Sequence, residues 1–569
     1  MPRLFPVLSF TCALALSGTV AGAQSAVIVR AAADSFVALS QSQVSRGPWP
    51  DLTDATRQSG ATRVDWIAAQ LAAVRRSELS NTTDQLLFDN LSEVIDAQKA
   101  TRVCRNHLWT GTSTFSGWHI TASNSARTQP VGSDSARARA LRSFARIPEA
   151  IRDERALLQR GLDSGYTASQ DVIAAVVRQL DDLLTNDVEK SPLYEPARRD
   201  SSPEFRRQWI AQLTDVIYPA ARNYRTFLSM QYLPRARPEG SMSRQRDGVA
   251  CYAASLRAQT SVRADVDSMM REARREYDVI AAQLTPLVAA LTGARELGDG
   301  IAMLRSDPRF TFSSRDSILP AYRAMTALAA SRIGRVVAGF APESIVVAPY
   351  PAFQENAGLP PQYQRASNDG SRPAQFMVNL SRTERMSVAD AVAHEAYPGH
   401  HLQRIAENRA ELAHPAMRSL FIGGFIEGWG IYSETLGDEM GLYSTPLLRA
   451  GYLVHLLDVT MGYYLDIGYH VKGWTRKDLV DSMVVLGGRP VRMAEAYADR
   501  HAATPGQLAT YYAGYRAIRA GRQDAEARLG SRFRMPEFHR EVLRHGTITL
   551  ASLRRQIDAW IAAELKGSA

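Results

Sequence analysis

Lysine and cysteine are both scarce in this chain. Only five of its 67 basic residues are lysines (Lys99, Lys190, Lys472, Lys477 and Lys566); the rest are arginines spread from end to end without a basic block. Nucleic-acid binding needs such a block or stripe, so the formal charge of +9 carries no such expectation. Three cysteines in 569 residues exclude a disulfide-stapled small scaffold and a cysteine metal site. Beyond the first 23 residues nothing approaches the roughly 20 uninterrupted apolar residues of a membrane helix. Also missing are a Gly-x-Ser-x-Gly elbow, a Walker-type phosphate loop and a dinucleotide fingerprint, which removes the usual competitors of a metal motif.

What remains has an ordinary globular composition, with 45% hydrophobic, 22% charged and 8% aromatic residues. The length is several times the roughly 100–200 residues of one compact domain. At the start, Arg3 precedes an apolar run from Leu4 to Leu16 broken by Pro6, Ser9 and Thr11, and Ala21-Gly22-Ala23 follows. This reads as a secretory signal over 1–23, cut before Gln24, and places the protein in the periplasm or outside the cell. Cys12 lies mid-run, away from the cleavage site, and is not a lipid-anchor position. Cys104 and Cys251 survive cleavage; they either pair or lie apart as buried thiols, and the sequence does not decide which.

From about Val27 to Val337, apolar residues recur at helical spacing, as in Trp66, Ile67, Leu71 and Val74, or Leu180, Leu183 and Leu184. Thr112–Ser135, rich in Thr, Ser and Gly, reads as an irregular connection or short hairpin. Ser344–Val347 and Phe376–Leu380 are short β-type runs, and helices return from Ser387. The expectation is a mainly α-helical protein with a small sheet lining a cleft. Residues 24–336 form a helical wall or lid, and 337–569 form the metal-binding region.

The chemistry concentrates in His394-Glu395-Ala396-Tyr397-Pro398-Gly399-His400-His401. It is an altered H-E-x-x-H motif, in which two His at i and i+4 normally lie about 40° apart on one helix face with the Glu reaching a metal-activated water. Here Pro398 occupies i+4. On a straight helix His400 would point about 120° away, and His401 would lie about 10 Å along the axis. Pro398 and Gly399 must therefore break the helix to bring a second His round. A zinc site also needs a third protein ligand. Downstream, Glu427 and Glu434 stand seven apart on one helix face, Glu427 as ligand and Glu434 as a carboxylate that orients an imidazole N–H. Gly423, Gly424, Gly428 and Gly430 would let their helix approach the first, or simply serve ordinary packing.

The strings HEAYPGHHLQ, EGWGIYSE, DGSRPAQFMVN, DIGYHVKGW and PGQLATYYAG resemble the bacterial family known as domain of unknown function 885, whose members group with gluzincin zinc peptidases. The Gly399-His400 pair and the Glu427–Glu434 spacing are similar to the ligand helices of thimet oligopeptidase-like enzymes. The resemblance implies a large helical metallopeptidase-like fold and one zinc ion per chain held by His394, His400 and Glu427, with His401 beside that set. It also implies Glu395 as general base in the hydrolysis of a peptide or small amide. Tyr511 and His470, in two of these strings, are its candidates for stabilising the oxyanion. Asn379 and Arg372 are candidates for holding the substrate main chain or its terminal carboxylate, with the peptide along Phe376–Asn379. Rival readings are a metal-containing peptide-binding protein without catalysis and an amidohydrolase of a non-peptide metabolite.

Overall fold

The computed structural model describes residues 11–44, 49–263, 265–350, 360–367, 372–410, 412 and 414–567, with the side chains of 11–22 and 42–44 outside that description. The signal expected over 1–23 therefore lies outside the described residues, apart from the backbone from Thr11 onward.

The chain is mainly helical. A first group comprises α1 (Thr11–Val44), α2 (Asp54–Ala72) and α3 (Thr82–Ala100). Thr53 and Asn81 start α2 and α3 by accepting the N–H of Thr56 and of Asp84, which satisfies donors that the first helical turn leaves free. Next come α4 (Trp118–Thr128), α5 (Ile147–Ser164), α6 (Gln170–Leu183) and α7 (Tyr218–Phe227). The helix α4 stands where an irregular connection or hairpin is expected. Its first N–H, on Trp118, donates to the Glu154 carboxylate of α5 at 2.9 Å, so the cap comes from another helix and leaves no local signature.

α8 (Gly248–Thr260) and α9 (Val266–Thr292) complete the N-terminal helices used below. Cys251 on α8 forms a disulfide with Cys104, just beyond α3, across 147 residues of sequence. Such a closure contributes about 2–4 kcal/mol.

Three short strands follow: β1 (Val346–Pro349), β2 (Gln362–Gln364) and β3 (Gln375–Val378). Their order is β1-β3-β2, with β1 parallel and β2 antiparallel to β3. β2 is Gln-Tyr-Gln after Pro360-Pro361, too short and too polar to read as a strand. Because β3 is the middle strand, both of its edges are paired, and Phe376, Met377 and Val378 are buried. A peptide cannot add along Phe376–Asn379, which corrects that expectation.

The remaining helices carry the site: α10 (Val388–Glu395), α11 (His400–Arg409), α12 (Gly423–Thr435), α13 (Pro446–Val471), α14 (Val491–Ala503), α15 (Ala509–Leu529) and α16 (Leu550–Lys566). α12 lies against α15 so closely that a Cβ on Gly428 would stand 2.3 Å from Gly514 Cα. Two apolar cores result. The larger runs from Val29 to Ile561 and draws on both sides of the 336/337 boundary. The smaller gathers α4–α7 around Phe144, Trp209 and Tyr224, takes in Met461, Leu465 and Tyr469 of α13 and reaches Ala494, Ala498 and Ala502 of α14. Among the described residues no single helix is long and apolar enough to cross a membrane.

Candidate metal centre

α10 ends at Glu395, and α11 begins at His400. The four residues between contain a cis Tyr397–Pro398 bond and then Gly399. A Cβ on Gly399 would lie 1.8 Å from the His394 carbonyl oxygen, so only glycine permits this tight return. The turn folds His400 back onto His394, with ring centroids 4.8 Å apart and planes at 89°. Glu427 Oε2 of α12 lies 3.8 Å from His394 Nε2 and 3.6 Å from His400 Nε2. One ligand atom from each of the three stands within 4.8 Å of the others. His401 departs in the other direction: its Nε2 is 3.2 Å from the Glu343 carbonyl and its Nδ1 3.4 Å from the Tyr363 hydroxyl. It borders a separate cavity with Arg404 and Asn408, so its expected place beside the ligand set is corrected.

Each imidazole of the group is fixed from behind. His394 Nδ1 is 2.8 Å from Glu434 Oε1, and His400 Nδ1 is 3.1 Å from Gln403 Oε1. With Nδ1–H donating to those oxygens, both Nε2 lone pairs are left toward Glu427. Glu434 is fully buried and also meets His455 Nδ1 at 2.9 Å through Oε2. Gly430 leaves room for this packing; a Cβ there would stand 2.6 Å from the His394 ring.

The electrostatics follow from these neighbours. Burial alone would raise the Glu427 carboxyl, but His394 and His400 hold it far below the carboxylate range. Burial alone would lower His394, but Glu427 and Glu434 hold it well above the usual imidazole value. Two imidazole nitrogens and one carboxylate oxygen, oriented by outer hydrogen bonds, are a donor set that suits zinc with a position left for water or substrate. Asp390, Glu434 and His455 form a second cluster of the same size behind His394. There burial pushes Asp390 up to about 6. Burial opposes protonation of His455, but the Glu434 charge outweighs it and lifts the imidazole to about 9.

The metal-side residues border a cavity of about 1270 Å³ including its open mouth, lined on one side by His394 and Glu395 and elsewhere by Asp390, His455, Arg500 and Tyr511. Glu395 Oε2 accepts the main-chain N–H of Tyr363 on β2 at 2.7 Å, while Oε1 accepts no hydrogen bond from the described residues. Burial raises its carboxyl. Tyr511 is pushed up to about 12, by burial first and then by the Glu427 charge, and so keeps its hydroxyl proton. Arg500 donates to the Tyr511 oxygen at 3.1 Å.

Three expected residues lie elsewhere. His470 is fully buried and stacked on Tyr252; its Nδ1 accepts the Met242 N–H at 3.1 Å, and its Nε2 faces the His501 carbonyl at 3.0 Å. Both ring nitrogens are thus spent on main chain, and burial lowers the ring to about 4, which corrects its expected catalytic place. Asn379 caps a turn, its Oδ1 accepting from Ser381 N at 2.9 Å and from the Ser381 hydroxyl at 2.8 Å. Arg372 donates to the Arg365 carbonyl at 2.8 Å in the loop before β3, and neither residue lines the cavity. Sequence reasoning missed the Tyr363 N–H, Gln403, His455 and Arg500. Only Gln403, three residues after His400 on one helix face, has a readable spacing.

The family model described as "Bacterial protein of unknown function (DUF885)" matches residues 37–557. No curated protein matches the chain. A crystal structure of a Colwellia psychrerythraea protein, proposed to be a lipoprotein, is 20% identical and superposes with a TM-score of 0.83, covering 95% of this chain and 99% of that one. A Shewanella oneidensis protein, a proposed lipoprotein of unknown function, is 16% identical with a TM-score of 0.71, covering 93% and 98% respectively. The fold is shared with both.

Proposed function

The chain belongs to the DUF885 family of bacterial proteins, a membership that carries no activity, and from the geometry of its site we propose that it is a zinc-dependent peptidase related to the gluzincins. The observation that carries the reading is the convergence of His394, His400 and Glu427 beside Glu395, which lines the same cavity as His394 and has one oxygen held by the Tyr363 N–H. His394, His400 and Glu427 would hold the cation, with Glu434 and Gln403 keeping the two imidazoles in the right tautomer.

A bound zinc ion supplies polarisation of a carbonyl and makes water more acidic. The chain's own residues do the rest. Glu395 takes a proton from water at Oε1 and later passes it to the leaving amine, its other oxygen being fixed by the Tyr363 N–H. A pKa raised by burial suits a group that must both accept and release a proton. Tyr511 donates its hydroxyl proton toward the oxygen on which negative charge develops.

An exported location is part of the proposal. The signal-like residues 1–23, the Cys104–Cys251 disulfide and the lipoprotein descriptions of the structural relatives support it. The test is elemental analysis of residues 24–569, purified without chelator, beside Glu427→Ala, with peptide turnover read on both. About one zinc per chain, lost in the variant together with turnover, is expected; a wild type that takes up no zinc on addition overturns the reading.

A further inference from the structure

The cavity that His394 and Glu395 border is also lined by Arg305, Arg382, Arg489 and Arg500. Arg305 and Arg489 share one carboxylate, each placing Nη2 2.9 Å from Asp458 Oδ2, and all three side chains are more than nine-tenths buried. Two guanidinium charges thus face a single carboxylate, and Arg305 Nε has no hydrogen-bond partner at all. Arg489 Cζ lies over the Tyr497 ring, 3.9 Å from its centroid, and the charges of Arg489 and then Arg500 lower the Tyr497 hydroxyl to about 7. Arg500 is nearest the metal side, since Glu427 acts on it by charge.

The partners of Arg500 are neutral. Its Nε and Nη2 donate to Gln507 Oε1 at 3.1 and 2.7 Å, and Nη2 also donates to the Tyr511 hydroxyl. Nη1 donates to none of the described residues. The other arginine of the cavity, Arg382, is paired with Glu384 at 3.8 Å and so does not contribute to the excess. On this wall Asp458 is the carboxylate paired with Arg305 and Arg489, and the Tyr497 hydroxyl lies beside Arg489. Enclosed positive charge without counter-charge is costly unless an anion completes it. The nearby acids belong elsewhere: Asp390 and Glu434 to His455, and Glu395 to the Tyr363 N–H.

We infer that Arg500, backed by Arg489 and Arg305 and positioned by Gln507, receives the free α-carboxylate of the substrate, so that the substrates are short peptides whose C-terminus lies inside the cavity. This rests on the peptidase reading of the same site and adds its substrate class. The two N–H groups of Nη1 supply charge-assisted hydrogen bonds to the carboxylate, and the Tyr511 hydroxyl next to them ties the anchor to the reacting end. The anchor expected at Arg372 is thereby moved to a different arginine.

The experiment measures binding, so it does not depend on turnover. Calorimetry of the Glu395→Gln mature chain is done with Ala-Ala-Ala-Ala and Ala-Ala-Phe-Ala, each as free acid and as C-terminal amide. The acids are expected to bind roughly 10–100-fold tighter than the amides, the range of hydrogen bonds to a charged group. Arg500→Gln in the same background collapses the preference to within about threefold, Arg500→Lys restores part of it, and thermal unfolding checks that each variant folds. Equal affinity for acid and amide, no binding of either, or a preference that survives Arg500→Gln in a folded protein overturns the inference. An acid preference without turnover by the zinc-loaded wild type removes the peptidase reading and leaves the anchor standing. Turnover of acid and amide at equal rates does the reverse.

Discussion

Glu154, in the core of α4–α7, and Glu434, behind the candidate metal centre, are both carboxyl groups enclosed by protein, and their acidities are shifted in opposite directions. Burial pushes Glu154 up to about 7; its partners are the Tyr224 hydroxyl and the Trp118 N–H, neither of which carries charge. Burial acts the same way on Glu434, but His455 and His394 outweigh it and keep the carboxyl below its ordinary value. One region satisfies a buried acid with neutral donors and uses it to start a helix. The other surrounds Glu427 and Glu434 with imidazoles that hold both carboxyls below their ordinary value, toward the ionised state a cation needs. Enclosure therefore does not mark a functional carboxylate; the identity of its partners does. Glu395 stands between these cases, raised by burial like Glu154 but lining the cavity.

The largest effect is expected where that intermediate state is removed. Glu395→Gln should lower peptide turnover by about 10²–10⁴-fold, the span of general acid–base catalysis, while zinc content stays that of the wild type. Turnover near the wild-type rate would put Glu395 with Glu154 as a merely buried acid. Next, His400→Ala should lose zinc on dialysis while His401→Ala keeps it, because only the first imidazole points toward Glu427; the reverse order would move the ligand. Glu434→Gln comes third. Removing the charge behind His394 should weaken zinc by about 10–100-fold in a competition with a chelator, and an unchanged affinity would erase the contrast with Glu154.

The smallest effect lies in the other region. The folded pKa of Glu154, about 7, stands above its ordinary 4.5. Its contribution is fully present below the unfolded value and is lost as pH rises through the folded one. Glu154→Gln, which stays neutral, should match the wild type near pH 4 and exceed it by roughly 3 kcal/mol above pH 8, read from denaturant unfolding. Parallel pH profiles for the two proteins would mean that Glu154 is ionised in the fold.

How much of this is legible from sequence depends on the range of the interaction. The helices read well because their apolar period is local, and the convergence of His394, His400 and Glu427 is legible because a Pro-Gly break and a seven-residue spacing are local too. The direction of His401 is not, since it depends on where Glu343 and Tyr363 end up. His470 misleads for a related reason: it belongs to a fully buried network in which Asp466 serves His501, Tyr252 and the Gly506 N–H, and no spacing distinguishes such a network from a catalytic one. Asn379 and Arg372 misread as ligand groups because turn capping uses the same polar side chains. α4 and β2 escape notice because one is capped from 36 residues away and the other is three residues long.

The hold on Glu395 comes from a peptide group and not from a side chain. A full substitution library at position 363 would leave that donor in place for every residue except proline, which has no N–H. Position 363 would then look dispensable in any scan that counts side chains. Lengthening or shortening the 360–364 segment by one residue, by contrast, would withdraw the donor while altering no side chain of the site.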